Sequence, residues 1–248
     1  MAGWRALCTK SALRAIDDLL ADRSVNDFDF YVGTSAGAII ASFLANGISP
    51  EAMYQAMAGA HSGLGFIGRE QIIRVSEREL RQRRLGLPAR FAGARANYLL
   101  HWTDMTLLDL LWSQTEALPS GLYDGMALEH YVRNVLSVPG CSNRFADLPH
   151  DLRIVATDLD TGERTVFGKD ENSEVPISLA VAASSAVPVM YKPVRIGDAD
   201  YVDGGMRGTA SIDLTIESGA TLVVCVNPMV PHNPQASPAG PGGPSTSM

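Results

Sequence analysis

Two short stretches hold the residues best able to do chemistry. Gly33-Thr34-Ser35-Ala36-Gly37 matches the pattern G-x-S-x-G, and Asp203-Gly204-Gly205 follows far downstream. In a chain with 23 glycines the first pattern is weak by itself, so its context decides. The apolar run Phe30-Tyr31-Val32 precedes it and Ala38-Ile39-Ile40 opens a helical pattern behind it. Strand, sharp turn and helix are what a nucleophile elbow requires. Gly33 and Gly37 would let strand and helix pass closely, with no Cβ between them. Ser35 would then stand at a helix N-terminus, where free N–H groups such as that of Ala36 favour negative charge on an oxyanion. The plainer reading is a Gly-rich turn with Ser35 as a helix cap.

A serine hydroxyl needs a base to become a nucleophile. Five histidines are present. His61 and His101 fall in a long middle segment, His130 on a helix, His150 in a Pro-flanked loop and His232 near the end. Each reads more simply as a surface or packing residue. Asp203 is the better placed group, because it follows the short strand Tyr201-Val202 and two glycines permit a tight turn that can aim its carboxylate. Such a base works only close to the hydroxyl and partly desolvated, which raises its pKa. By spacing alone, this role and a plain Asp-Gly turn stand level, and Asp198 and Asp200 lie nearby. A Ser35, Asp203, His232 triad also has a permitted chain order.

The surrounding pattern must position these groups. Helical spacing appears at 11–21, 36–45, 50 onward with Ser49 as cap, 124–137, 176–186 and 210–218. Short strands are expected at 29–32, 152–157, 164–167, 194–196 and 201–202, with a buried strand at 221–226. Asp160-Thr161-Gly162 suits a hairpin turn between two of them. Alternating strands and helices argue an α/β domain with a mostly parallel sheet.

Composition narrows the function. The 248 residues are 46% hydrophobic and 19% charged, which describes a globular protein and excludes wholesale disorder. A net charge of −7 argues against nucleic acid as a partner, since phosphate neutralisation needs a basic surface. Cys8, Cys141 and Cys225 are scattered and form neither a metal pattern nor a disulfide framework. No apolar run approaches the roughly 18 residues of a membrane span, and no signal peptide is visible. The expected location is cytoplasmic, with membrane association left open.

The motifs in sequence resemble the patatin-like phospholipases. Gly33 to Gly37, the run Leu152 to Gly162, Ala180 to Pro188 and Tyr201 to Gly205 all have that family's character and order. The resemblance covers residues 3–229, with a helical insertion or lid at about 60–120 and a Pro/Gly/Ser tail, expected to be disordered, at 230–248. It implies a three-layer α/β fold and a Ser–Asp dyad acting on lipid acyl esters, with Ser35 as nucleophile and Asp203 as base. No metal or other cofactor is implied. The family's glycine-rich oxyanion loop maps onto Met1 to Ala6, where only Gly3 and Arg5 agree. The strand before it is expected to be absent, leaving an unpaired sheet edge. Two accounts follow: a start upstream of Met1, or a shortened form that binds lipid and turns over poorly.

Three further signals are weaker. Gly63 to Gly68 matches G-x-G-x-x-G but follows a helix, so a dinucleotide site is not expected. Residues 69–95 carry eight Arg against three Glu, either a solvated helix face or a surface for anionic lipid headgroups. The apolar stretch 98–112 reads as core or as a lid admitting acyl chains.

Overall fold

The computed structural model describes residues 12–57, 121–123, 125–208 and 210–227. Gly3, Arg5, His61, His101, His232, the whole 60–120 insertion with its Gly, Arg and apolar stretches, and the 230–248 tail lie outside the described residues.

The described elements run α1 (residues 12–19), β1 (Phe30–Thr34), α2 (Ala36–Ala45), α3 (Pro50–Met57) and β2 (Gly121–Tyr123). Then come α4 (Met126–Leu136), β3 (Asp151–Asp158), β4 (Arg164–Phe167), α5 (Ile177–Ser184), β5 (Val189–Tyr191), β6 (Val194–Ile196), β7 (Ala199–Asp203) and α6 (Ile212–Glu217). Local chemistry accounts for several boundaries. Gly47 at φ 77° and Gly219 at φ 83° follow α2 and α6 in the left-handed region that glycine tolerates. Ser49 Oγ accepts the Ala52 N–H at 3.2 Å at the start of α3. In the β3–β4 hairpin, Asp158 Oδ1 accepts the N–H groups of Asp160 and Thr161, both at 2.9 Å.

The sheet builds on β3. β1 runs parallel to it, from Phe30 opposite Asp151 to Thr34 opposite Val155. β4 and β7 pair with β3 antiparallel, and β6 extends β7 antiparallel. β2 and β5 form a separate parallel pair. The α/β class is as expected, and the sheet is mixed. The parallel pair carries the Ser35 elbow, while the β3–β4 and β6–β7 pairs are hairpins whose connections are too short for a crossover. β1 has no strand partner on its other edge among the described residues.

Period-two alternation sends side chains of β1 and β3 to opposite faces. Tyr31, Leu152, Ile154 and Ala156 join the main core with Ala38, Ile40, Ala41, Ala180, Val181 and Ala183 from α2 and α5. Val32 and Val155 face the other way, where Val166 and Leu214 of α6 cover them. Helices on both faces of one sheet give the three layers.

One expected element is not formed. Residues 221–226 take no strand pairing, and Leu222, Val223 and Val224 are 77%, 37% and 43% exposed. β-branched composition favours a strand only where a neighbour supplies hydrogen bonds and a face to pack on. No described strand does so here.

Candidate active site

Ser35 follows β1 and precedes α2, with φ 55° and ψ −126°. A non-glycine residue held there costs about 1–3 kcal/mol, sustained only where the surroundings fix it. Gly33 is one cause of the sharpness. A Cβ on it would lie 2.5 Å from the Ala38 Cα and 2.7 Å from the Gly37 carbonyl oxygen. Gly37 differs from expectation: a Cβ there meets nothing within 4 Å among the described residues. The close passage of strand and helix therefore rests on Gly33. Ser35 makes no side-chain capping bond to α2, so the plain-cap reading fails.

The Ser35 side chain instead lies beside the Asp203 carboxylate, where it acts to lower that group's pKa. Asp203 is the last residue of β7 and is only 6% exposed. Its Oδ1 also accepts the Gly205 N–H at 2.7 Å. Burial pushes the Asp203 carboxyl above the ordinary carboxylate range, and Ser35 and the Gly205 N–H only partly oppose that. Packing requires the first of the two glycines after Asp203, and the second lies against the carboxylate itself. A Cβ on Gly204 would overlap the Val155 carbonyl, and one on Gly205 would press Asp203 Oδ1 at 2.9 Å.

The first N–H groups of a helix have no intrahelical acceptor. The Ala38 N–H is used by the Ser35 carbonyl at 2.9 Å. Ala36 is the exposed first residue of α2, and its N–H belongs to the free first turn that favours negative charge. The other expected donors, at Gly3 and Arg5, lie outside the described residues.

Among the described residues, Asp200, His150 and His130 face other partners. Asp200 pairs with Arg195 at 2.9 Å. His150 stacks edge-on against Tyr31, with ring centroids 5.7 Å apart. It precedes Asp151, opposite the start of β1, which puts it about 20 Å of strand rise from Ser35. The His130 side chain is 60% exposed and lies 3.9 Å from Glu129. A cleft of about 430 Å³ beside Gly204 has Glu163, Arg164, Arg207 and Ser211 in its wall, a polar lining poorly suited to an acyl chain.

Three residues around the pair carried no role in the sequence reading. The Ser35 N–H donates to Ser184 Oγ at 2.9 Å, Ser185 Oγ donates to the Ser35 carbonyl at 3.2 Å, and the Asp203 N–H donates to the Ala186 carbonyl at 3.0 Å. They fall within the Ala180 to Pro188 block. Nothing local to that block names partners 149 residues away.

Comparison with known proteins places these residues in a wider setting. The family model described as "Patatin-like phospholipase" matches residues 2–216. A Bacillus subtilis (strain 168) protein described as "Uncharacterized protein YqhO" is 28% identical over 190 residues, covering 72% of this chain and 54% of its own length. The chain thus spans about half the length of that curated relative. Among solved structures, VipD from Legionella pneumophila aligns with 17% identity and a TM-score of 0.37, over 82% of this chain and 43% of VipD.

Proposed function

The chain belongs to the patatin-like phospholipase family, and from that premise we propose that it is a lipid acyl hydrolase working through a Ser35–Asp203 dyad. The substrates are carboxylic esters of phospholipids or acylglycerols. One observation carries the reading: the buried Asp203 carboxylate, its pKa raised by burial, lies beside a serine held on a strained elbow.

Asp203 accepts the Ser35 proton as Oγ attacks the ester carbonyl. Desolvation makes this carboxylate a stronger base than one in water. The negative charge that develops on the carbonyl oxygen meets the Ala36 N–H and the α2 terminus. Asp203 returns the proton to the leaving alcohol, leaving an acyl ester on Ser35. A water then gives a proton to Asp203 and attacks that ester, which releases the fatty acid and restores Ser35. In a triad an imidazole stands between serine and aspartate. The approach of Ser35 to Asp203 with no described imidazole between them supports the dyad over a triad with His232.

The test is covalent. A fluorophosphonate should label wild type at Ser35 and leave Ser35→Ala unlabelled, with hydrolysis of phospholipid or short-chain ester falling by about 10⁴-fold or more in that variant. A folded wild type that binds lipid but neither labels nor hydrolyses would instead establish the lipid-binding reading. Loss of activity in His232→Ala would return the triad.

A further inference from the structure

We propose that Ser184 and Ser185 are positioning residues, and that the strip 184–186 fixes the geometry of Ser35 against Asp203. The inference rests on the dyad reading above but draws on separate bonds.

Ser184 is fully buried at the end of α5. Its hydroxyl accepts the Ser35 N–H at 2.9 Å and donates to the Val155 carbonyl at 2.6 Å. A hydroxyl can accept and donate at once, so one side chain ties the elbow to β3. Ser185 Oγ holds the other end of the same residue, at the Ser35 carbonyl, 3.2 Å away. Ala186 then takes the Asp203 N–H on its carbonyl at 3.0 Å. Three consecutive residues thus touch the backbone of both partners. The Val155 carbonyl adds a second link, since Gly204 packs against the same oxygen that Ser184 bonds.

The strip is itself anchored. At the start of α5, Ser178 Oγ donates to Glu129 Oε1 at 2.8 Å and accepts from Asn143 Nδ2 at 2.9 Å. Asn143 Oδ1 accepts the Ser178 N–H at 2.8 Å. Helix α5 is therefore held at one end by buried polar bonds and grips the elbow with the other. An elbow at positive φ needs such a grip, because its own backbone preference is to relax. Neither serine reaches a reacting atom. Both act through the Ser35 backbone.

The test uses Ser184→Ala, Ser185→Ala and Ser185→Thr in the full chain, with a soluble short-chain ester and with amide hydrogen exchange. Ser184→Ala is expected to lower kcat by about 10- to 100-fold with KM nearly unchanged, as a small misplacement of a reacting group does. The acid limb of its pH profile should move up, since a displaced Ser35 hydroxyl no longer lowers the Asp203 pKa. Exchange at the Ser35 amide should rise at least tenfold while the β1 amides stay protected. Ser185→Thr should keep the turnover that Ser185→Ala loses. A folded Ser184→Ala with wild-type kcat, acid limb and Ser35 exchange would overturn the proposal. Should that variant fail to fold, equal turnover in Ser185→Ala and Ser185→Thr would overturn it instead. The exchange readout is independent of catalysis. An inactive wild type whose Ser35 amide is released by Ser184→Ala would sink the hydrolase reading and keep the grip.

Discussion

Ser35 and Asp203 meet because the strands that carry them run toward each other along one edge of β3. β4 occupies one edge, opposite Ile154 to Thr157. β1 pairs with β3 as far as Val155, and β7 pairs from Ala156 onward. Each overlaps the stretch taken by β4, so both must use the opposite edge. Thr34 ends β1 against Val155 and Asp203 ends β7 against Ala156, two adjacent residues of one strand. The serine after the first strand and the carboxylate ending the second therefore face each other.

The glycines flanking this junction should differ sharply. Gly33→Ala drives a Cβ into the backbone of Ala38 and should cost about 2–4 kcal/mol in urea denaturation. Gly204→Ala should do the same at the Val155 carbonyl. Gly37→Ala, with open space around it, should change stability by less than about 1 kcal/mol. Equal losses at Gly33 and Gly37 would contradict this account of the elbow.

Activity should carry an acid limb set by Asp203. The base works only when ionised, and burial raises its pKa. The rise of kcat/KM with pH should therefore centre above the usual carboxylate range. A limb at the ordinary aspartate value would mean that Asp203 is hydrated during turnover.

Asp203→Asn should trade activity for stability. A carboxyl whose folded pKa is raised favours the folded state while protonated. That contribution is present below the unfolded pKa and is lost as pH rises through the folded pKa. Wild-type Tm should accordingly fall across this interval relative to Asp203→Asn, whose side chain carries no charge to bury. The variant should be the more stable at pH 7 and lose about 10³-fold or more in kcat. Parallel Tm curves from pH 4 to 7 would refute the linkage.

The buried polar anchor of α5 should matter to folding. Glu129 is 1% exposed, bonded by Ser178 and paired with Arg133. Glu129→Ala removes the acceptor of a buried hydroxyl and should cost about 2–4 kcal/mol. Glu129→Gln keeps an acceptor for Ser178 and should cost less. Denaturant midpoints of the two variants rank them directly.

The sequence by itself determined what short-range physics controls. The elbow was legible because an apolar strand, a glycine that admits a close crossing and a helical run stand next to one another in the chain. The β3–β4 hairpin was legible for the same reason, from Asp160 to Gly162. Residues 221–226 misled because β-branched composition states a preference that only a neighbouring strand can satisfy. Spacing left Asp203 level with a plain turn, since nothing near it in sequence distinguishes a base from an Asp-Gly bend. Tertiary structure ends two strands head to head on β3, buries the carboxylate and brings the serine beside it, which favours the base over the bend. It also brought Ser184 and Ser185 onto the Ser35 backbone. Their hydroxyls look like ordinary polar ends of a small-residue helix until pairing across 149 residues and more brings the Ser35 backbone to them.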